Sequence, residues 1–472
     1  MRKTKLICSI GPKTEKPEKI KELLKRGVNA FRISAVHYTM EKITELVELI
    51  KDIRYELKMP VSIILDLPGC KLRTGDQKEE IIELRQGEKV TVTSEKTFSS
   101  RDTISINFSG PFQGVKTGDL ILVDDGKIQL RVERISPKKV ECVVEIGGIL
   151  KKNSGVNFPN SDLPVEVPTE EDIKIIAETV NMGLDYYCVS FARNAKDVQK
   201  IKKHLESFDS SAKILTKIET KKSIETLEDI CRVSDGIIVA RGDLAVETSL
   251  IDLPILQKKI INTASNYKIP VIVATEILNS MINSSSPTRV EIMDVANIVL
   301  DGADAILLTS ETAVGNFPIE TVEKINEIVE NVENYLPEIN AHFKERRFEK
   351  IEDPSEAIAR SSYYISEEIN AKAIIISTAS GSTARRVAYF KPLRPIIATT
   401  PDENTFHQLS IVWGIVPMLI PEVHSTDIMI HVAVEKVKAV GYVQNSDIVV
   451  VTSGAPCGIV GTTNMLKVHI VE

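Results

Sequence analysis

The sequence has no run of about 18 apolar residues, the length at which a membrane-spanning helix becomes the natural reading. No membrane contact is expected. Nor has it a dense block of lysine and arginine: 59 basic against 66 acidic side chains leave a formal charge of −7. Without such a block the chain lacks the electrostatic grip that nucleic-acid binders need, and a small-molecule substrate is favoured. Cysteine is sparse, and Cys8, Cys70, Cys142, Cys188, Cys231 and Cys457 are scattered without C-x-x-C spacing. Several lie in apolar, strand-like runs, so reduced core thiols are expected rather than disulfides or a zinc site. The turn at Gly11-Pro12 comes too early for the apolar core of a secretory leader, so a cytoplasmic location is expected. No solenoid-length repeat and no low-complexity segment occur. Tryptophan occurs once, as Trp413, and is expected in a domain core.

What is present is ordinary globular composition, 43% hydrophobic and 26% charged over 472 residues. At a prior of ~150 residues per domain, that length suggests about three domains. Short β-branched runs alternate with amphipathic stretches from the start: Lys5–Ile10, Pro17–Arg26, Asn29–Ile33, Glu41–Glu56, Val61–Asp66. From about Leu67 to Val167 the rhythm gives way to turn-rich, strand-like pieces such as Lys89–Thr93, Leu120–Val123 and Glu141–Glu145, which read as an inserted all-β module. Pro168-Thr169-Glu170-Glu171 then reads as a helix N-terminus with acids in its first turn. Five more strands follow, near Asp185–Ser190, Lys213–Ile218, Gly236–Ala240, Pro270–Ala274 and Ala305–Leu308. Three strands before the insert and five after it are what a closed (β/α)8 barrel requires. Beyond a polar stretch at Phe343–Asp353, a helix at Pro354–Ile369 and strands at Ala371–Ser377, Pro395–Thr400, Asp447–Thr452 and Lys467–Val471 make an open-sheet α/β domain. The expected division is barrel at 1–67 and 169–342, inserted β-barrel lid at 68–168 and C-terminal α/β domain at 343–472.

In such a barrel the site lies at the C-terminal strand ends. Charged residues gather there: Arg32 after the second strand, Asp66 after the third, Lys217 and Glu219 at the fifth, Arg241-Gly242-Asp243 after the sixth, Thr275-Glu276 after the seventh. Lys217 and Glu219 are two apart and share a strand face. Glu219 and Asp243 are hard oxygen ligands from neighbouring strands, a pair suited to Mg²⁺ with an anionic substrate. The plainer alternative makes Lys217–Glu219 and Arg241–Asp243 structural ion pairs of the barrel rim.

The segments KLICSIGPKT, ILTKIET, SDGIIVARGDLAVE, VIVATEILNSM, SPTRVEIMDVANIVLDGADAILLTSETAVG and SGAPCGIVGTTNMLKVH resemble those of pyruvate kinases, in the same order and over essentially the whole chain. The resemblance implies a homotetrameric enzyme that transfers a phosphoryl group from phosphoenolpyruvate to ADP, giving pyruvate and ATP. It implies Mg²⁺ as cofactor, with Mn²⁺ as a substitute. Carried across by position, the catalytic set is Lys217, Thr275, Arg32 and Arg73, and the metal ligands are Glu219 and Asp243. The substrate set is Arg32, Ser190, Arg241, Gly242, Asp243 and Thr275; the nucleotide set is Pro12, Ser34, His37 and Arg73. The loop Ser377, Thr378, Ser380, Gly381, Ser382 and Thr383 matches one that holds a phosphorylated effector in the family, and an anion nest at a helix N-terminus or an ordinary capped turn would both suit these residues.

Several positions depart from the family pattern. The Asn and Ser that ligate a monovalent cation are Ser34 and Val36, and Asp-Thr-Lys-Gly has become Asp66-Leu67-Pro68-Gly69. Lys71 stands where K⁺-independent members carry Lys, so Lys71 with Asp66 is expected to replace K⁺, which is then not required. Lys-Gly-Val-Asn has become Ser154-Gly155-Val156-Asn157, removing a lysine that reaches nucleotide phosphates, for which Lys151 or Lys152 could compensate. Gln has become Glu276, and Ser-Gly-Glu-Thr has become Thr309-Ser310-Glu311-Thr312. Two alternatives follow from this asymmetry: a divergent enzyme using phosphoenolpyruvate or a keto acid with another acceptor, and a non-catalytic metabolite sensor.

Overall fold

Runs such as Lys-Leu-Ile-Cys-Ser and Ser-Ile-Ile-Leu-Asp are buried at every position, as strands covered on both faces must be. Eight strands, all but β2 and β13 buried throughout, close a parallel barrel: β1 (Lys5–Ser9), β2 (Ala30–Ser34), β3 (Ser62–Asp66), then, after an insert of eight strands numbered β4 to β11, β12 (Tyr186–Val189), β13 (Lys213–Ile218), β14 (Gly236–Ala240), β15 (Val271–Ala274) and β16 (Ala305–Leu308). The computed structural model describes residues 2–79, 81–161, 163–339, 353–454 and 463–472. Cys457 and nearly all of the polar stretch at 343–353 lie outside the described residues. Around the barrel the strands run in chain order and β16 closes on β1, with Leu6 beside Ile306. The expected helix start at Thr169 is a capping box: the Thr169 hydroxyl accepts from the Asp172 amide, and the Asp172 carboxylate accepts from the Thr169 amide.

The insert is a small curled sheet of six strands, in the order β11 (Val156–Asn157), β7 (Leu120–Val123), β8 (Ile128–Ser136), β9 (Lys139–Ile146), β5 (Lys89–Thr93), β6 (Thr103–Ser105). Bridges Arg73–Gly155 and Thr74–Ile106 join its two edges, so the segment carrying Arg73 closes the curl. The pair β4 (Ile82–Leu84) and β10 (Gly148–Leu150) lies beside it.

The C-terminal sheet has the order β19 (Ile415–Leu419), β18 (Ile396–Thr400), β17 (Ala373–Ser377), β20 (Ile448–Gly454), β21 (Thr463–Ile470), with β21 antiparallel. Strand β19 was not expected. It contains Pro417 and lies at the sheet edge, where a missing N–H costs no ladder bond.

This sheet's neighbouring 3-10 turn, Leu409–Ile411, stoppers the barrel at its N-terminal end. Ile411 packs with the interior residues Ile7, Ala30, Ile64 and Tyr186. Ser410 donates to the Asn29 carbonyl, and the Tyr186 hydroxyl to the Gln408 carbonyl. Trp413 corrects its expectation: it is buried, but against the Lys3 and Lys391 ammoniums, 5.2 and 4.6 Å from its ring, at the junction with the barrel. The face of the large ring attracts the two cations that meet there. Among the described residues that end is closed by this turn, which leaves the C-terminal face of the barrel for a substrate. Among the described residues no helix is long and apolar enough to cross a membrane.

One junction contact titrates. His407 Nδ1 accepts from the Val61 amide at 3.2 Å, and burial, then nearby Arg54, push the imidazole down to about 3. The folded chain therefore holds this ring neutral while the unfolded chain protonates it near 6.5. Stability from this group is complete above pH 6.5 and falls as pH drops toward 3, by about 2 kcal/mol at pH 5 for a well-shielded ring. His407→Asn, which keeps an acceptor, is expected to flatten the fall in melting temperature between pH 7 and 5. An unchanged slope would assign that fall to other groups.

Candidate active site

Three cations and three carboxylates converge at the barrel mouth. Arg32, on β2, donates from Nε to Asp66 Oδ2 at 2.8 Å and from Nη1 to Ser9 Oγ at 2.9 Å. Lys217, on β13, lies 3.6 Å from Asp66 Oδ2 and 2.8 Å from Glu219 Oε1, and donates to Ser190 Oγ at 3.1 Å. Ser190 in turn donates to the Leu67 carbonyl at 2.9 Å. Lys71, arriving from the lid, meets Asp243 Oδ1 at 2.6 Å. Burial disfavours the Lys217 ammonium, but Asp66 and Glu219 outweigh it and hold its pKa above the usual lysine range. Burial likewise opposes ionisation of Asp66, yet Lys217 and Arg32 keep that carboxyl below its usual range.

Glu219 is the exception. It is 0% exposed, and burial first, then Asp243, push its pKa up against the pull of Lys217. Its Oε2 accepts from the Phe191 amide at 2.7 Å, and Oε1 lies 2.8 Å from the Lys217 ammonium. A buried carboxyl held above its usual range by burial and a second carboxylate, with one ammonium against it, is short of positive charge. A divalent cation would supply it. Among the described residues no group of three or more His, Cys, Asp or Glu forms a closed metal cage. The two-carboxylate pair suits Mg²⁺, which keeps waters and takes substrate oxygens for the rest of its shell.

The surrounding backbone is strained where it serves the site. Thr275 has φ +71°, Glu276 +53° and Phe191 +56°, a region costly for a β-branched or bulky residue. Thr275 Oγ1 donates to the Ala274 carbonyl at 2.6 Å and accepts from the Gly242 amide at 2.8 Å, which joins the loops after β14 and β15. Glu311, buried, holds the same loop by accepting from the Ile277 and Leu278 amides at 3.1 and 3.2 Å. The substitution at Thr309-Ser310 therefore leaves this anchor in place.

Some expected residues sit elsewhere. Every guanidinium nitrogen of Arg241 is taken: Nε and Nη2 by the Thr275 carbonyl, Nη2 also by the Glu276 carbonyl, and Nη1 by Asp294 at 2.7 Å. Arg241 braces the strained loop and has no donor left for a substrate. Lys71 and Asp66 do not pair with each other. Asp66 is held by Arg32 and Lys217, and Lys71 finds Asp243. Arg73 lies on the lid, where Nη1 donates to the Asn153 carbonyl at 3.1 Å. Pro12 and His37 are exposed on loops after β1 and β2, and Ser34 is buried at the end of β2. Lys151 and Lys152 make exposed ion pairs with Asp124 and Asp76, weak contacts that leave both ammoniums free to swing.

In the C-terminal domain, Gly381 (φ +75°) begins the helix Ser382–Tyr389 without a side-chain cap. Its amide donates to Thr378 Oγ1, Ser377 pairs with Thr399, Thr383 pairs with Thr463, and Arg385 donates to the Ser380 carbonyl. Sequence reasoning missed two residues, Asn157 and Glu247. Asn157 Nδ2, on lid strand β11, donates to Glu247 Oε1 at 2.6 Å. The signal available was Glu247 four residues after Asp243, one helical turn away on the same face.

A family model described as pyruvate kinase, barrel domain, matches residues 1–322, and one described as pyruvate kinase, alpha/beta domain, matches residues 356–469. A protein named pyruvate kinase from Thermotoga maritima is 41% identical over 472 residues, covering 100% of both chains. One of the same name from Clostridium acetobutylicum is 38% identical over 474 residues, again covering 100% of both. A protein named pyruvate kinase 2 from Synechocystis is 37% identical over 475 residues, covering 100% of this chain and 80% of its own.

Proposed function

The chain belongs to the pyruvate kinase family, and from that premise we propose that its barrel mouth transfers the phosphoryl group of phosphoenolpyruvate to ADP in the cytoplasm. The bond from phosphorus to the enol oxygen breaks, a bond to the ADP β-phosphate oxygen forms, and the enolate takes a proton at its methylene carbon. The observation that carries this reading is the Lys217 ammonium 2.8 Å from Glu219, on the open face of the barrel, with Asp243 close enough to raise the Glu219 pKa. Such a transfer spreads charge over three phosphoryl oxygens and calls for positioned cations rather than a covalent intermediate.

Glu219 and Asp243 would hold Mg²⁺, which when bound would supply Lewis-acid stabilisation of substrate oxygens. Lys217 and Arg32 hold cationic donors toward the transferring group, and Arg73, carried on the lid, completes the clamp. Thr275, held in its strained backbone, borders the face on which the enolate is protonated through water, because a threonine hydroxyl is itself a weak acid. A phosphorylated effector at the uncapped helix start near Ser382 belongs to this proposal. So does self-association, supported by the exposed apolar residues Leu250, Ile251, Ile255, Val290 and Met293 on the barrel flank.

The test has two arms: pyruvate formation from phosphoenolpyruvate with and without ADP, and Mg²⁺-dependent exchange of pyruvate methyl protons. ADP-dependent activity in the first with exchange in the second is the expected result. Exchange without ADP-dependent transfer would overturn ADP as acceptor, and silence in both would overturn catalysis.

Lys71 also supplies, in this proposal, the fixed charge that K⁺ gives other members. Its ammonium reaches the metal-ligand pair through Asp243, and Ser34 and Val36 offer a poorer monovalent site than the Asn and Ser they replace. KCl added at constant ionic strength is expected to change turnover by less than about twofold. A tenfold rise would sink this assignment.

A further inference from the structure

The helix Arg241–Glu247 carries two carboxylates one turn apart, and each touches the lid: Asp243 through Lys71, Glu247 through Asn157. Between these two contacts lid and barrel stand apart. A cavity of about 310 Å³ opens there, lined by Lys71, Asn157, Phe158, Phe191 and Glu247 among others. Lys71 and Glu247, one from each of the two polar contacts, line it.

Asn157 is 7% exposed and lies on β11, whose neighbourhood is hydrogen-bonded to the segment bearing Arg73: the Val156 amide donates to the Leu72 carbonyl at 2.9 Å, and the Thr74 amide to the Ser154 carbonyl at 2.8 Å. A displacement of Asn157 therefore displaces Arg73. We propose that Glu247, holding Asn157, is a positioning residue that registers the lid, and with it Arg73, against the helix that supplies the metal ligand Asp243. The inference rests on the functional reading above and names a device within that site. Glu247 acts through its acceptor oxygen, not its charge. Gln presents the same oxygen at the same reach.

Glu247→Ala is expected to lower kcat about tenfold while KM for phosphoenolpyruvate changes less than about twofold, because the barrel half of the site is untouched. Hydrogen–deuterium exchange in segments 71–76 and 154–158 of the full chain should quicken about tenfold. Glu247→Gln should remain within about threefold of the parent in both readouts, and Asn157→Ala should match Glu247→Ala, with the double variant no worse than either single. Equal impairment in Glu247→Gln and Glu247→Ala would overturn the proposal by making the charge essential, as for a metal ligand. Unchanged exchange in Glu247→Ala or Asn157→Ala would overturn it too. Should Glu247→Ala fail to fold, Asn157→Ala against Glu247→Gln decides the matter. Exchange needs no turnover, so absence of transfer in the parent chain would sink the functional reading and leave this test standing.

Discussion

Lys217→Met should lower turnover by about three orders of magnitude while KM for phosphoenolpyruvate moves only a few-fold. Charge accumulates on the enol oxygen as phosphorus departs, so an ammonium placed there contributes most in the transition state and little to ground-state binding. The alternative is that Lys217 serves only to neutralise its neighbours, since Glu219 and Asp66 both depend on it. Breaking a buried pair costs roughly 3–5 kcal/mol, so the variant's melting temperature must be read beside its kinetics. A folded variant with normal kcat and a KM raised a hundredfold would assign Lys217 to substrate capture and remove it from the chemistry.

Glu219→Gln should weaken Mn²⁺ binding, measured by calorimetry, by about two orders of magnitude and cut Mg²⁺-supported turnover by about three. The metal-free protein should behave oppositely. Because the folded pKa of Glu219 lies above its usual value, the folded chain binds this proton more tightly than the unfolded chain does. Stability is therefore gained as pH falls through that range, and the ionised carboxylate is a burden above it. Gln removes the burden, and Asp66 still compensates Lys217. At pH 8 without metal the variant should melt no lower than the parent. Intact Mn²⁺ affinity with a collapsed melting temperature would make Glu219 a structural residue and leave the metal without its main ligand.

Much of this architecture follows from local pattern. Short apolar runs alternating with amphipathic stretches mark all eight barrel strands, and Thr169 with Asp172 starts its helix where short-range chemistry dictates. The charged strand ends, too, could be named in advance, because a parallel barrel puts them on one face. The failures share a cause. Arg241 looks like a substrate cation until the loop after β15 folds back and presents two carbonyls to it. Strand β19 is hidden by Pro417, and Trp413 looks like a core residue until the chain's own N-terminus covers it.

The amino-acid order by itself determined which side chains stand at the open mouth of the barrel, since strand period and connection handedness leave little freedom there. Only the tertiary structure decided which cation meets which carboxylate. Lys71 joined Asp243 across 172 residues, Arg32 joined Asp66 across 34, and Asn157 reached Glu247 across 90. Electrostatic and hydrogen-bond energies depend on separation in space at a few ångströms, and separation along the chain carries no information at that scale until the barrel has closed and the lid has been laid over it.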